Sequence, residues 1–147
     1  MQHNNRSLVL VLITAGLLLS ACGRASAVVA TKTQPVQLEK IEGTEFNRVI
    51  LTEKAAQRLD IQTAPVRDQQ VNGVQRKVIP YAAVIYDLKG GTWVYTSPEP
   101  LTFVRQPITI DYIEGDTVVL LDGPPTGTEV ATVGVAELYG ANTGVGK

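Results

Sequence analysis

From Val71 onward, short runs of β-forming residues alternate with turn signals at close intervals, and that spacing limits the fold more than any other feature. Lys89-Gly90-Gly91 leads into Thr92–Thr96, and Pro98-Glu99-Pro100 separates that run from Leu101–Tyr112. Glu114-Gly115-Asp116 reads as a hairpin turn before Thr117–Leu121, and Val130–Val135 is the last run. Upstream, Val71–Ile79 alternates weakly, and Tyr81–Tyr86 is richer in β-formers behind a bend or edge marked by Pro80. Runs this short with turns between them build a small antiparallel sheet or barrel. The expected fold is therefore mainly β, a small antiparallel β-sheet or barrel-like domain with one short helix. Thr52 can cap that helix, Glu53–Leu59, with Glu53 near its positive end and Ala55, Ala56 and Leu59 as its apolar side. Strand candidates Arg48–Leu51 and Ile61–Val66 flank it.

The N-terminal end sets the compartment. Arg6 precedes an apolar run from Leu8 to Leu19, too short for a comfortable transmembrane helix of roughly 20 residues. The run ends in Leu19-Ser20-Ala21-Cys22-Gly23, which looks like a bacterial lipobox whose cysteine becomes the first mature residue and carries the lipid. The competing reading is an ordinary secretory signal followed by a chance cysteine. Cys22 is the one cysteine, so an internal disulfide is excluded, and acylation accounts for it better than redox chemistry does. The expected organisation is a lipoprotein signal peptide over 1–21, a lipid anchor and tether over 22–44, a β domain over 45–138 and a flexible tail over 139–147. Within the tether, Val36 and Leu38 alternate with polar neighbours, so 36–44 could equally add an edge strand. The protein is expected in the cell envelope, held to a membrane through Cys22 and facing the periplasm or the exterior.

The stretch Asp122-Gly-Pro-Pro-Thr-Gly-Thr-Glu-Val130 invites comparison with a phosphate-binding loop. It fails chemically. Gly123 and Gly127 are too close together, Thr128-Glu129 stands where Lys-Ser or Lys-Thr is needed, and two prolines remove N–H donors. As the connector of a hairpin it makes sense, since proline fixes φ and glycine supplies left-handed conformations.

Around that loop, "VIPYAAVIYDLKGGTWVYT" and "VRQPITIDYIEGDTVVLLDGPPTGTEVATVG" resemble the membrane-proximal part of periplasmic adaptor proteins, or membrane fusion proteins, of RND-type efflux pumps. Ile79-Pro80-Tyr81-Ala82-Ala83-Val84 matches the family's Val-Pro-x-x-Ala-Val strand, and Trp93-Val94-Tyr95 its Val-Phe/Tyr-Val strand. Arg105-Gln106-Pro107-Ile108 matches its Arg-x-Val strand, with Gly123 and Gly127 on two glycine positions of its final segment. The likeness spans roughly Val49 to Val135. It departs from the family where 67–78 stands in place of the lipoyl, helical-hairpin and barrel domains, and at Pro124, where the family has leucine. The resemblance implies a non-enzymatic accessory or interaction module of an RND-type transport system, with a permease or a full-length adaptor as partner. The adaptors that handle copper and silver are linked to methionine ligands; past the leader no methionine remains, so soft-metal binding is not implied.

Composition narrows the rest. The 13 basic and 14 acidic residues nearly balance, which leaves no basic field for nucleic acid. The one histidine, His3, lies in the leader, so neither a His-based catalytic group nor His/Cys metal spacing is available. No catalytic residue, metal ligand or cofactor is expected, and Glu114 with Asp116 is turn punctuation. Tyr81, Tyr86, Trp93 and Tyr95 could form a partner-binding face, or simply be sheet residues half-packed on the core. A stand-alone envelope lipoprotein holding a small molecule or envelope component is the alternative. Docking calls for an exposed aromatic or apolar patch, and small-molecule binding for an enclosed pocket.

Overall fold

A computed structural model describes residues 34–144, and strands dominate them. The leader, Cys22 and the first part of the tether lie outside the described residues, as do the last three residues. Strand β1 is Val36–Lys40 and β2 Asn47–Leu51, so the edge-strand reading of 36–44 describes this segment and the tether reading does not extend into it. Helix α1, Glu53–Arg58, starts where the Thr52 hydroxyl accepts a hydrogen bond from Ala55 N at 3.2 Å. Strands β3 (Gln62–Pro65), β4 (Arg67–Val71) and β5 (Val74–Pro80) follow. The weak alternation of Val71–Ile79 in fact runs across a hairpin. Asn72 and Gly73 turn the chain with φ of 52° and 80°, both positive as a type I′ connection requires.

Tyr81–Ala83 is a single 3₁₀ turn, and only Ile85–Tyr86 (β6) continues as strand, which corrects the expected strand over 81–86. Val84 N bonds back to Tyr81 O, so the chain curls where an extended run was expected. Strand β7 is Thr92–Glu99. The expected run Leu101–Tyr112 is two strands, β8 (Thr102–Pro107) and β9 (Thr109–Glu114). Strands β10 (Thr117–Asp122) and β11 (Glu129–Val133) come next, and helix α2 (Val135–Thr143) takes up most of the segment expected as a flexible tail. None of the described helices is long and apolar enough to cross a membrane.

All pairings are antiparallel and form two sheets. The first runs β1-β2-β8-β7-β11-β3, with β6 also on β7; the second runs β4-β5-β10-β9. Neither closes into a barrel. The chain instead turns corners between them. Val66 carries β3 into β4, its N–H bonding Thr128 O and its carbonyl accepting from Gly127 N. Ile108 carries β8 into β9 after Pro107, which has no N–H to continue the first ladder. Ile108 N bonds Thr92 O at 3.0 Å, and the Thr92 hydroxyl donates to Ile108 O at 2.7 Å. The Asp122–Val130 connector is the third link, joining β10 of one sheet to β11 of the other instead of closing a hairpin within one.

These links leave two cores. Val49, Leu51, Tyr95, Phe103, Ala131, Val135 and Leu138 pack between the first sheet and the helices. Val66, Ile79, Val94, Ile108, Val118, Leu120 and Val130 pack between the sheets. Leu138 is the buried anchor of α2, at 1% exposure. Its replacement, Leu138→Ala, should lower stability by about 2–5 kcal/mol in urea unfolding. A loss near zero would mean that α2 does not seal the first core.

Candidate functional site

The helices cover one face of the first sheet, but not to its end. Residues two apart on a strand share a face, and facing residues on paired strands do too. Tyr95 and Trp93 therefore lie on one side of β7, with Arg105 of β8 opposite Tyr95 in register. Tyr95 is wholly inside the first core. Trp93 and Arg105 lie at the rim, where Phe46 from the β1–β2 connection and Tyr139 of α2 join them around a groove of about 330 Å³.

Three side chains stack there. The Arg105 guanidinium carbon sits 4.3 Å from the Trp93 ring centroid and 5.0 Å from that of Phe46. The two rings meet edge to face, 5.3 Å apart at 66°. A guanidinium over an aromatic face is held by the ring quadrupole. Arg105 Nε is buried without a partner, and the side chain makes no hydrogen bond or ion pair among the described residues.

The other wall is the β6–β7 hairpin, fixed by Asp87. Its Oδ1 accepts from Gly91 N at 2.8 Å and Lys89 N at 2.9 Å, and its Oδ2 from Trp93 Nε1 at 2.9 Å. The Gly91 amide, then the Trp93 indole, hold this carboxyl below the ordinary aspartate range. Gly91 is needed by its neighbours: a Cβ there would lie 2.8 Å from both Asp87 Oδ2 and Trp93 Nε1. At the tip of the hairpin Leu88 is fully exposed, at 102%.

The four aromatic candidates thus part company. Tyr81 and Tyr86 are exposed on the surface, and burial, then the neighbouring Tyr81 hydroxyl, push the Tyr86 phenol up. Trp93 is half-buried in the groove wall. Tyr95 leaves the candidate face altogether: its ring is core, its hydroxyl accepts from Asn142 Nδ2 at 3.0 Å, and burial raises its pKa. Phe46, Asp87, Leu88 and Arg105 were not among the candidate site residues, Arg105 entering only through the adaptor-like Arg-x-Val match. The legible signals were an aspartate opening a Gly-Gly turn, an Asx-turn pattern, and the two-residue spacing of Arg105 from the apolar Phe103.

Two other grooves open to solvent. One of about 220 Å³ includes Arg67, Gln69, Pro80 and Asp116 in its lining, and one of about 290 Å³ is bounded by Pro35, Thr52, Lys54, Ala55 and Arg58. Neither brings aromatic rings and a free cation together. Among the described residues no group of three or more His, Cys, Asp or Glu could hold a metal ion.

The Gly91→Ala variant should lose about 1–3 kcal/mol of stability, as overpacking typically costs, and should shift the emission of Trp93, the one tryptophan of the chain. Asp87 gives a second test. Its folded pKa lies below the ordinary value of 3.8, so its contribution is complete above that pH and is lost as pH falls through the lowered value. Trp93 emission should hold steady down to that range and change only below it, and Asp87→Asn should remove the step. A step above it would contradict the assignment.

No protein-family model, curated protein or solved structure matches the chain.

Proposed function

We propose that this protein is a lipid-anchored, non-enzymatic docking domain of the cell envelope, an accessory of an RND-type transport system. The observation that carries this reading is the fully exposed Leu88 at the tip of a hairpin fixed by Asp87, beside an open groove walled by Phe46, Trp93 and Tyr139. A large apolar side chain held in water on a rigid turn is unfavourable in isolation and becomes favourable when a partner covers it. Tyr86 pairs with Thr92, one residue from Trp93, so Tyr86, with Tyr81 beside it, lies on the opposite face of the sheet and takes no part in this margin. The lipobox at Cys22 and the adaptor-like order of motifs from Val49 to Val135 supply the compartment and the partner class. A site of this kind engages by shape and burial.

The test is in-cell photo-crosslinking with a reactive residue at position 88, and at the exposed Val74 that opens β5 as control. The expected result is an RND-type permease or full-length adaptor captured from 88 but not from 74. Leu88→Asp should reduce the yield about tenfold, equivalent to about 1.4 kcal/mol. Capture of no transporter component from any position would overturn the assignment and leave the stand-alone binding lipoprotein.

A further inference from the structure

We infer that the Phe46–Trp93–Arg105 groove receives a carboxylate joined to an apolar side chain, presented by the docking partner; this rests on the docking role of the hairpin. Arg105 defines the chemistry. Its guanidinium is the strongest donor group in the groove, yet no described residue accepts from it. The nearby Asp87 carboxylate is already held by three donors of its own hairpin, two amides and the Trp93 indole. With Trp93 and Phe46 stacked against it, Arg105 can present its remaining N–H groups only along its edge. An edge-on guanidinium matches the two oxygens of a carboxylate, whereas a lysine offers a point charge.

The charge balance favours a carboxylate over phosphate. Glu45 and Asp87 oppose Lys89 and Arg105 around the groove, so it is formally neutral and suits one added negative charge better than a dianion. The remaining wall is apolar: Phe46, Leu88, Trp93 and the Tyr139 ring. A volume of about 330 Å³ lies at the small end for ligand sites and admits one such group with its side chain.

Trp93 is the one tryptophan and a reporter inside the site. The experiment titrates the full chain with N-acetyl-leucine and, separately, with N-acetyl-leucinamide, following Trp93 emission. The acid should give a saturable change, with the amide at least about tenfold weaker, because it cannot form the charge-assisted pair. Arg105→Lys should weaken the acid by a similar factor, with the thermal melt of each variant confirming that it is folded. The comparison of acid with amide needs no variant, so a poorly folding substitution does not shield the proposal. Equal binding of acid and amide, or no saturable change with the acid, would overturn it while leaving the crosslinking result at position 88 standing. Acid binding by a protein that captures no partner at position 88 would overturn the partner as the source and point to a free organic acid.

Discussion

Strand β7 is buried on both faces, and the rest of the domain is arranged around that condition. Val94 and Tyr95 are adjacent in sequence, point in opposite directions and are both fully buried. A strand with neighbouring residues in two cores cannot have a solvated side, so the first sheet must be covered twice. β11 repeats the requirement one strand over, with Val130 in the inter-sheet core and Ala131 in the core beneath the helices. The second sheet supplies one cover, and α1 with α2 the other. Without α2, Tyr95 would lose its lid and its hydroxyl the Asn142 partner, exposing the buried ring to water.

Covering one sheet with another from the same short chain requires sharp transfers, and the fold makes each with few residues. At Val66 and Ile108 a strand leaves one sheet and enters the other, and each corner residue is bonded through both its N–H and its carbonyl oxygen. The Asp122–Val130 connector closes the system. Pro124 is buried, Lys77 Nζ donates to Gly123 O at 2.6 Å, and the Thr126 hydroxyl donates to Asp68 Oδ1 at 2.9 Å. Gly123 leaves little room for a side chain, since a Cβ would fall 3.0 Å from Leu120 Cδ1 and 3.2 Å from Ile108 Cγ2, which would have to give way. The loop is conspicuous in sequence because it must bend, pack and bond at once.

Much of this was legible locally. Thr52 announces α1, Glu114-Gly115-Asp116 the β9–β10 turn, and the runs at Thr92 and Thr117 strands close to those observed. The turn at Asn72-Gly73 was legible too, being the strongest type of short hairpin signal, although alternation alone carries the eye straight through it. What sequence could not show was which sheet a strand joins. β8 and β9 read as one stretch because Pro107 alone interrupts them, although the odd spacing from Phe103 to Ile108, which lie in different cores, marks where the demand for a second cover parts them. The candidate site failed to read through for the same reason. Trp93 and Tyr95 are equivalent by period, and only the extent of α2 decides that one is core and the other rim. Arg105 has no meaning until Trp93 and Phe46 are placed against it.

The same limited cover gives the domain its one distinctive surface. The nine-residue helix α2 shields Tyr95 and reaches the groove only through Tyr139, while the sheet continues through Trp93 and Arg105 into the β6–β7 hairpin. A polar rim would have been the simplest ending for an uncovered sheet margin. The chain instead places an indole and a phenyl ring there, lays a guanidinium against them, and fixes the adjoining turn through three hydrogen bonds to one carboxylate. Such order would favour the docking proposed above, because side chains and loops already fixed before contact lose less entropy on binding. Leu88 is consequently displayed by the fold and does not merely fail to be buried. The exposed leucine, the stacked rings and an arginine without a partner among the described residues lie on one continuous margin, and covering that margin would complete the burial that α2 begins.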